Sequence, residues 1–330
     1  MTNSGQLTVS VAVATYNGER YIRQQLSSIL GQSYLPHEII VCDDGSTDGT
    51  TTAIRLAPES ERVRLQLNAE NLGFQKNFEQ AITRCSGEII ALSDQDDIWL
   101  PDRLQRTVEC FASDPALDLV VTEAQIVDEQ LRPFNDRLYG QRLSALLEAP
   151  LQAEGLIRSL NIKGCTIAMR ARLKRYVLPI AAQTWGHDHW IAFIAATLSR
   201  IAFLPEPLMY YRRHASSAGH DIYRRRLDWR LRALAGSLAL PYYKLEDVRW
   251  QTMLHHLQRL QPLIEDAQIQ QKLSAGIALV SSRQQYAARR LSNRQRNRFQ
   301  RILPATQLLL HGDYSRFEKG FRTFAKDLIA

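Results

Sequence analysis

The chain has 330 residues, with 41 lysines and arginines against 34 aspartates and glutamates, for a formal net charge of +7. At 45% hydrophobic and 23% charged it is neither disordered, fibrous nor low-complexity, and no run approaches the ~18 apolar residues of a membrane span. The charge is divided. Residues 1–210 hold 19 basic and 25 acidic side chains, a net of −6, and residues 211–330 hold 22 and 9, a net of +13, so the two parts should meet different partners. The segment MTNSGQLT lacks a basic stretch ahead of an apolar one, so no secretory signal is expected. Cys42, Cys85, Cys110 and Cys165 are scattered without a Cys-x-x-Cys pair, which predicts a reduced, cytosolic protein.

Strand and helix signals alternate along the first half. Val9–Ala14 is a β-branched run that stops at the turn cluster Thr15-Tyr16-Asn17-Gly18, and apolar residues at 21, 22, 26, 29 and 30 have helical spacing. Ile39–Cys42 predicts a second strand ending at Asp43-Asp44-Gly45-Ser46. Thr47 or Asp48 then caps a helix that Pro58 ends. A third strand over Val63–Leu67 precedes a helix over Asn71–Cys85. A fourth over Ile89–Leu92 runs into Asp94-Gln95-Asp96-Asp97, and Pro101 suits the first turn of another helix. Further on, 117–121, 166–169, 201–204 and 208–211 read as strands and 188–198 as a buried helix, while the region beyond 220 reads as helical. Apolar strands separated by helices predict an α/β fold with a parallel sheet covered on both faces. Such sheets bind ligands at the carboxyl ends of their strands, where all three polar clusters fall.

Those clusters could do chemistry. Three carboxylates within residues 94–97 repel one another unless cations or donors balance them, and a hard cation such as Mg²⁺ or Mn²⁺ would do so. A solvated acidic turn is the other reading. An EF-hand is excluded, because its sixth and twelfth positions counted from Asp94 would be Trp99 and Gln105. Asp43 and Asp44 could accept from ribose hydroxyls or a base N–H, or simply build a turn. Walker A and G-x-G-x-x-G sequences are absent, which argues against an NTPase or a dinucleotide enzyme. The segment Trp185-Gly186-His187-Asp188-His189-Trp190 sets a carboxylate among aromatic rings, suited to a general base on a sugar hydroxyl, or else to a helix cap over a core. Arg212-Arg213-His214 could bind phosphate and metal or form a charged strand edge.

Taken in order, residues 15–18, 43–48, Asn71-Leu72-Gly73 and 94–97 resemble the family 2 inverting glycosyltransferases of the GT-A fold. The phrase DQDDIWLPDRL, the His187-Asp188 pair followed by Trp190, and Tyr211-Arg212-Arg213-His214 look like its bacterial rhamnosyltransferase-like branch. The resemblance spans residues 8–220 and continues more weakly through Gly312-Asp313-Tyr314 and Gly320. It implies a nucleotide-sugar-binding half over 1–115, an acceptor-binding catalytic half over 116–220 and a basic helical region over 221–330. By resemblance, Thr15, Tyr16 and Asp44 frame a pyrimidine base, with Asp43, Asn17 and Asn71 nearby. Asp96 is the principal metal ligand, Asp94 contacts ribose or metal, and Asp97 buttresses the loop. Asp188 is the general base. His214 approaches metal or diphosphate, helped by Arg212 or Arg213, and Trp185, His187, His189 and Trp190 line the acceptor side. His189 stands where relatives commonly carry Trp, and Ser217 where an Asn often follows the His.

The implied reaction moves a sugar, L-rhamnose from dTDP-rhamnose, to a glycan or lipid-linked glycan in cell-surface polysaccharide synthesis. A UDP-sugar donor (galactosyl or N-acetylhexosaminyl) and a non-catalytic sugar-nucleotide or glycan-binding module are the alternatives. Arg283–Arg301 holds seven arginines and no acid, with Ile277, Leu279, Val280, Leu291, Phe299, Ile302 and Leu303 interleaved. Since no nucleic-acid reading element appears, the expected partner is an anionic membrane surface rather than a nucleic acid. The expected location is the inner face of the cytoplasmic membrane.

Overall fold

The runs at 9–15, 38–43 and 89–93 become strands that are buried on both faces, while that at 63–67 is largely exposed. The structure, a computed structural model, describes residues 6–57, 60–148, 152–158, 162–215, 239–318 and 320–329. They fall in two compact units, one of Met1–Gln152 with Asn161–Arg213 and the other of Ala153–Leu160 with His214–Ala330.

The first unit is built on β1 (Val9–Thr15), β2 (Glu38–Asp43), β3 (Val63–Leu67), β4 (Ile89–Ser93), β5 (Ile98–Trp99), β6 (Leu117–Val127), β7 (Pro133–Arg137), β8 (Ile167–Arg170) and β9 (Arg200–Arg212). Their order is β3-β2-β1-β4-β8-β6-β9-β5, with β7 added to β6. The first four strands are parallel, as predicted. Beyond them β8 runs antiparallel to both β4 and β6, so the whole sheet is mixed. The helices are α1 (Ile22–Leu30), α2 (Thr50–Arg55), α3 (Phe74–Arg84), α4 (Arg103–Ser113), α5 (Gln141–Leu147), α6 (Gln152–Arg158), α7 (Lys174–Val177) and α8 (His187–Leu198), of which α6 belongs from Ala153 onward to the second unit.

Three expectations change in detail. The strands predicted at 201–204 and 208–211 are one strand, β9. Its pairing with β6 shifts register between Leu204 and Pro207, and such an irregularity tolerates a residue that cannot donate to the ladder. The cap of α2 is Gly49, while Asp48 accepts the Thr50 N–H at 3.0 Å from one residue outside. Pro58 lies outside the described residues. Helix α3 starts at Phe74 because residues 71–73 are held in a loop described below.

The second unit contains α9 (Ala239–Leu260), α10 (Ala267–Arg294), α11 (Arg298–Leu310), α12 (Asp313–Phe317) and α13 (Phe321–Ile329). Asp266 caps α10, accepting from Gln268 N and Ile269 N, and Asn297 with Gln300 forms a capping box on α11. Trp250, Leu257, Leu273, Val280, Tyr286, Tyr314 and Phe317 form the core. The expected solvent- or lipid-facing arginine stripe is corrected here: Arg283, Arg290 and Arg294 are buried. Arg290 grips Asp327 through Nε at 2.7 Å and Nη2 at 2.9 Å, Arg294 adds a contact at 3.1 Å, and the Tyr243 and Tyr314 hydroxyls each donate to Asp327 at 2.8 Å. Among the described residues, no helix is long and apolar enough to cross a membrane.

Burial alone would raise the Asp327 carboxyl, but the Arg290 fork overcomes that and holds it below its ordinary 3.8. A depressed carboxyl contributes stability that is complete above its unfolded value and is lost as pH falls through the folded one. Asp327→Ala strands two buried guanidinium groups, so a loss of about 3–5 kcal/mol is expected in denaturant unfolding. In the wild type, stability should fall as pH drops below the unfolded-state value of this carboxyl and through its lower folded one.

Candidate functional site

The carboxyl ends of β1, β2 and β4 bring the three polar clusters together, since Thr15 pairs with Asp43 and Val13 with Ser93 in the sheet register. Most of these polar groups are spent on shaping the loops. Thr15 Oγ1 donates to Asp43 Oδ2 at 2.7 Å, and Ser46 donates its N–H to Oδ1 at 2.8 Å and its hydroxyl to Oδ2 at 2.6 Å. Asp44 receives the N–H groups of Leu72 and Gly73, both at 2.8 Å, and the Asn68 amide at 2.9 Å. Asp43 and Asp44 are both buried, so each orders a loop from beneath. Asn17 accepts the Thr47 N–H at 2.8 Å, and the exposed Asn71 accepts from Gly73 at 3.1 Å. The Tyr16 ring stays 47% exposed, enough to meet a planar ligand.

Gln95, which the sequence reading passed over, ties the first loop to the acidic one. Its amide accepts the Tyr16 N–H at 2.9 Å and donates to the Tyr16 carbonyl at 3.0 Å. Gly18 is needed beside it, because a Cβ there would stand 2.2 Å from Gln95 Oε1.

In the acidic loop, Asp97 is buried and accepts the Arg212 N–H at 3.0 Å, while Asp94 and Asp96 are partly open. Burial, then the charges of Asp96 and Asp188, push the Asp94 carboxyl up to about 7. Burial and the charges of Asp96 and Asp94 raise Asp97 as well. The carboxylates are thus short of positive charge even with the buried Arg103 below them. Arg103 lies 3.9 Å from the Trp99 ring, donates to the Cys165 carbonyl at 2.5 Å and is lowered to about 10 by burial. A divalent cation fits this set: hard oxygen donors, crowded, with repulsion that the cation would relieve. Cys165 Sγ lies within 4.8 Å of ligand oxygens of Asp94 and Asp97. Burial and those charges hold it protonated, so it stands behind the carboxylates as a neutral thiol.

Asp188 lies in the first turn of α8, whose N-cap is Gly186, so the capping reading of Asp188 does not hold. Its Oδ1 accepts the His189 N–H at 2.9 Å, and His189 Nδ1 stands 3.9 Å away. Gly186 has φ +139°, and a Cβ there would lie 2.6 Å from Asp188 Oδ1. That glycine both permits the turn and leaves room for the carboxylate. Phe74, 65% exposed, packs edge-on to His187 with ring centroids 6.1 Å apart, placing an aromatic face beside this turn that the sequence reading missed.

Several expected roles are corrected. Trp190 is fully buried and its indole N–H donates to the Val177 carbonyl at 2.8 Å; α8 is apolar nearly all round, so its indole packs inward rather than toward an acceptor. His187 is buried and stacked on Phe78 with centroids 4.0 Å apart, and burial lowers its pKa, so it is a neutral wall of the core. Arg212 is buried, and each of its guanidinium nitrogens donates within the protein: Nε to the Asp96 carbonyl at 2.8 Å, Nη1 to the Glu129 carbonyl at 3.1 Å and Nη2 to Gln24 at 2.7 Å. It is a positioning residue for the acidic loop. Arg213 is exposed, with its N–H on the Val127 carbonyl at 2.8 Å. Trp185 and His189 are half-buried. His214 belongs to the second unit, where it is buried, and Ser217 lies outside the described residues.

Comparisons with known proteins bear on the family and the fold. An uncharacterized glycosyltransferase of Nostoc sp., alr2836, is 29% identical over 222 residues, 64% of this chain and 66% of its own. The Escherichia coli UDP-Glc:alpha-D-GlcNAc-diphosphoundecaprenol beta-1,3-glucosyltransferase WfgD is 35% identical over 100 residues, 30% of this chain and 39% of its own. The chain spans 46–66% of the length of the first curated relatives it matches. Among solved structures, S. aureus TarS 1–349 in complex with UDP-GlcNAc superposes with TM-score 0.55 at 18% identity, over 98% of this chain and 90% of that one. The mannosyltransferase PcManGT from Pyrobaculum calidifontis, in complex with GDP-Man and Mn²⁺, gives 0.51 at 20% identity, over 98% and 86%. These likenesses show the GT-A-like fold. The family model described as glycosyl transferase family 2 matches residues 10–177, half of the sequence, and the chain belongs to that family.

Proposed function

We propose that this protein transfers a sugar from a nucleotide diphosphate to a hydroxyl of a glycan or lipid-linked glycan, inverting the anomeric centre in one displacement. The observation that carries the reading is the convergence of the 15–18, 43–48 and 94–97 clusters on the carboxyl ends of β1, β2 and β4, with the Asp188 charge acting on Asp94. Residues 1–115 supply the donor side, with Tyr16 against the base and Asp43, Asp44, Asn17 and Asn71 shaping its loops. Residues 116–220 supply the acceptor side, with Trp185 and His189 near Asp188, and the exposed Phe74 of the donor half stands beside that turn. Asp96 and Asp94 would hold Mg²⁺ or Mn²⁺. That cation, when bound, offsets charge on the departing diphosphate. Arg213, which is exposed, would bind the diphosphate. Asp188 takes the proton of the attacking hydroxyl.

The donor proposed from the resemblance is dTDP-L-rhamnose. A UDP-hexose is the second reading, favoured by the UDP-Glc named for the E. coli relative. Nucleotide diphosphate release, measured over a panel of dTDP- and UDP-sugars with Mn²⁺, tests both. One donor turned over is the expected result, and none bound or cleaved would support a non-catalytic module instead. Gly186→Ala should lower turnover ~10- to 10²-fold, because its Cβ displaces the Asp188 carboxylate. Steady-state kinetics with an unchanged donor KM would check this. The enzyme is proposed to work on the cytoplasmic face of the membrane that carries its acceptor.

A further inference from the structure

The burial of Arg283, Arg290 and Arg294 removes α10 as a lipid-facing stripe, since Leu279 and Val280 turn inward with them. Helix α11 is built the other way. Phe299 is 86% exposed, Leu310 80%, Leu303 68% and Ile302 52%. At 100° per residue these four fall within an arc of about 100°, the width of one helix face, while Ala305 and Leu308 on the opposite side are buried. A merely solvated helix face would carry polar groups there, so four large apolar chains in one arc mark a contact surface.

The charge beside that arc names the partner. Of the seven arginines in residues 283–312, three are buried, while Arg289 and Arg296 are exposed. A cleft of about 470 Å³ between α10 and α11 is lined by Arg289, Arg296, His311, Ser292 and Gln307, and Leu303 belongs to both cleft and stripe. Arg289 keeps a guanidinium that is 61% exposed, with Asp313 at 3.8 Å, and Arg296 is exposed. Cationic and hydroxyl donors next to an apolar ridge match a phosphate headgroup next to its acyl chains. A second copy of the chain seated on the same ridge would bring one arginine rim against another.

We propose that the α10–α11 corner docks on an anionic phospholipid bilayer, with Phe299, Ile302, Leu303 and Leu310 entering the headgroup–acyl boundary and Arg289, Arg296 and His311 receiving a lipid phosphate. The proposal shares with the functional reading its membrane location, but it is tested without donor or acceptor, so its failure leaves sugar transfer standing. The experiment is flotation of the full chain with phosphatidylglycerol–phosphatidylcholine vesicles and with pure phosphatidylcholine vesicles. Binding is expected to the anionic vesicles and to weaken with salt. Leu303→Asp with Leu310→Asp should reduce the bound fraction about tenfold or more. Arg289→Gln with Arg296→Gln should reduce it on anionic vesicles alone. All four side chains are exposed or line the open cleft, and an unchanged melting temperature confirms that the variants fold. No flotation, equal flotation on neutral vesicles, undiminished binding by either variant, or a vesicle-free dimer that Leu303→Asp dissociates would each overturn the proposal.

Discussion

Asp188→Asn is expected to cut sugar transfer by about 10³-fold, within the range a general base supplies, while donor affinity stays within about twofold of wild type. The amide is isosteric and keeps an oxygen for the His189 N–H that Asp188 accepts at 2.9 Å, so the first turn of α8 should survive. What it cannot do is take a proton. The comparison is made by single-turnover transfer with a saturating donor, alongside calorimetric donor binding. Wild-type transfer in the variant would remove Asp188 from the chemistry. Loss of donor binding together with transfer would instead make it part of the donor pocket, a distinct outcome because its charge already reaches Asp94.

The polar clusters at 15–18, 43–48 and 94–97 were legible because each interrupts a β-branched run, and parallel strands bring their carboxyl ends to one edge. The strands β1, β2, β3 and β4 lie where the alternation puts them, β3 to the residue. Which of the clustered side chains stay available was not legible. Asp44, Arg212 and Trp190 have the chemistry of ligand contacts, yet their partners are Leu72, Gly73, Asp96, Glu129 and Val177, chosen by the packing of distant segments. Local spacing carries no trace of such choices. The arginine tract makes the same point. Its residues 283, 290 and 294 share a helix face with Val280 and Tyr286, which periodicity could have revealed. Their counter-charges Glu318 and Asp327 lie dozens of residues away on α13 and just before it. A basic run therefore looked like one surface and is two: a buried clasp and, on α11, an open ridge.

Asp96→Ala should abolish the cation's contribution to nucleotide binding. Losing even an outer-shell partner can cost a metal site ~10²-fold in affinity, so losing the principal carboxylate should cost at least that. Titrating the nucleoside diphosphate by calorimetry with and without Mn²⁺ should show a wide gap for the wild type and none for the variant. Equal gaps in both would take Asp96 out of the cation's shell. Asp97 is the control within the same loop. It is buried and holds the Arg212 N–H, and Arg212 in turn fixes the Asp96 carbonyl, so Asp97→Ala should lower thermal stability as well as nucleotide affinity. Asp96→Ala removes a partly open carboxylate whose backbone partner stays in place, and should leave stability within about 1 kcal/mol of wild type. If Asp97→Ala alone erased the Mn²⁺ dependence at unchanged stability, the ligand and the buttress would have to exchange places. The bonds of the Arg212 N–H to the Asp97 carboxylate and of its Nε to the Asp96 carbonyl argue for the present order, because a side chain committed to holding a strand end is poorly free to follow an ion.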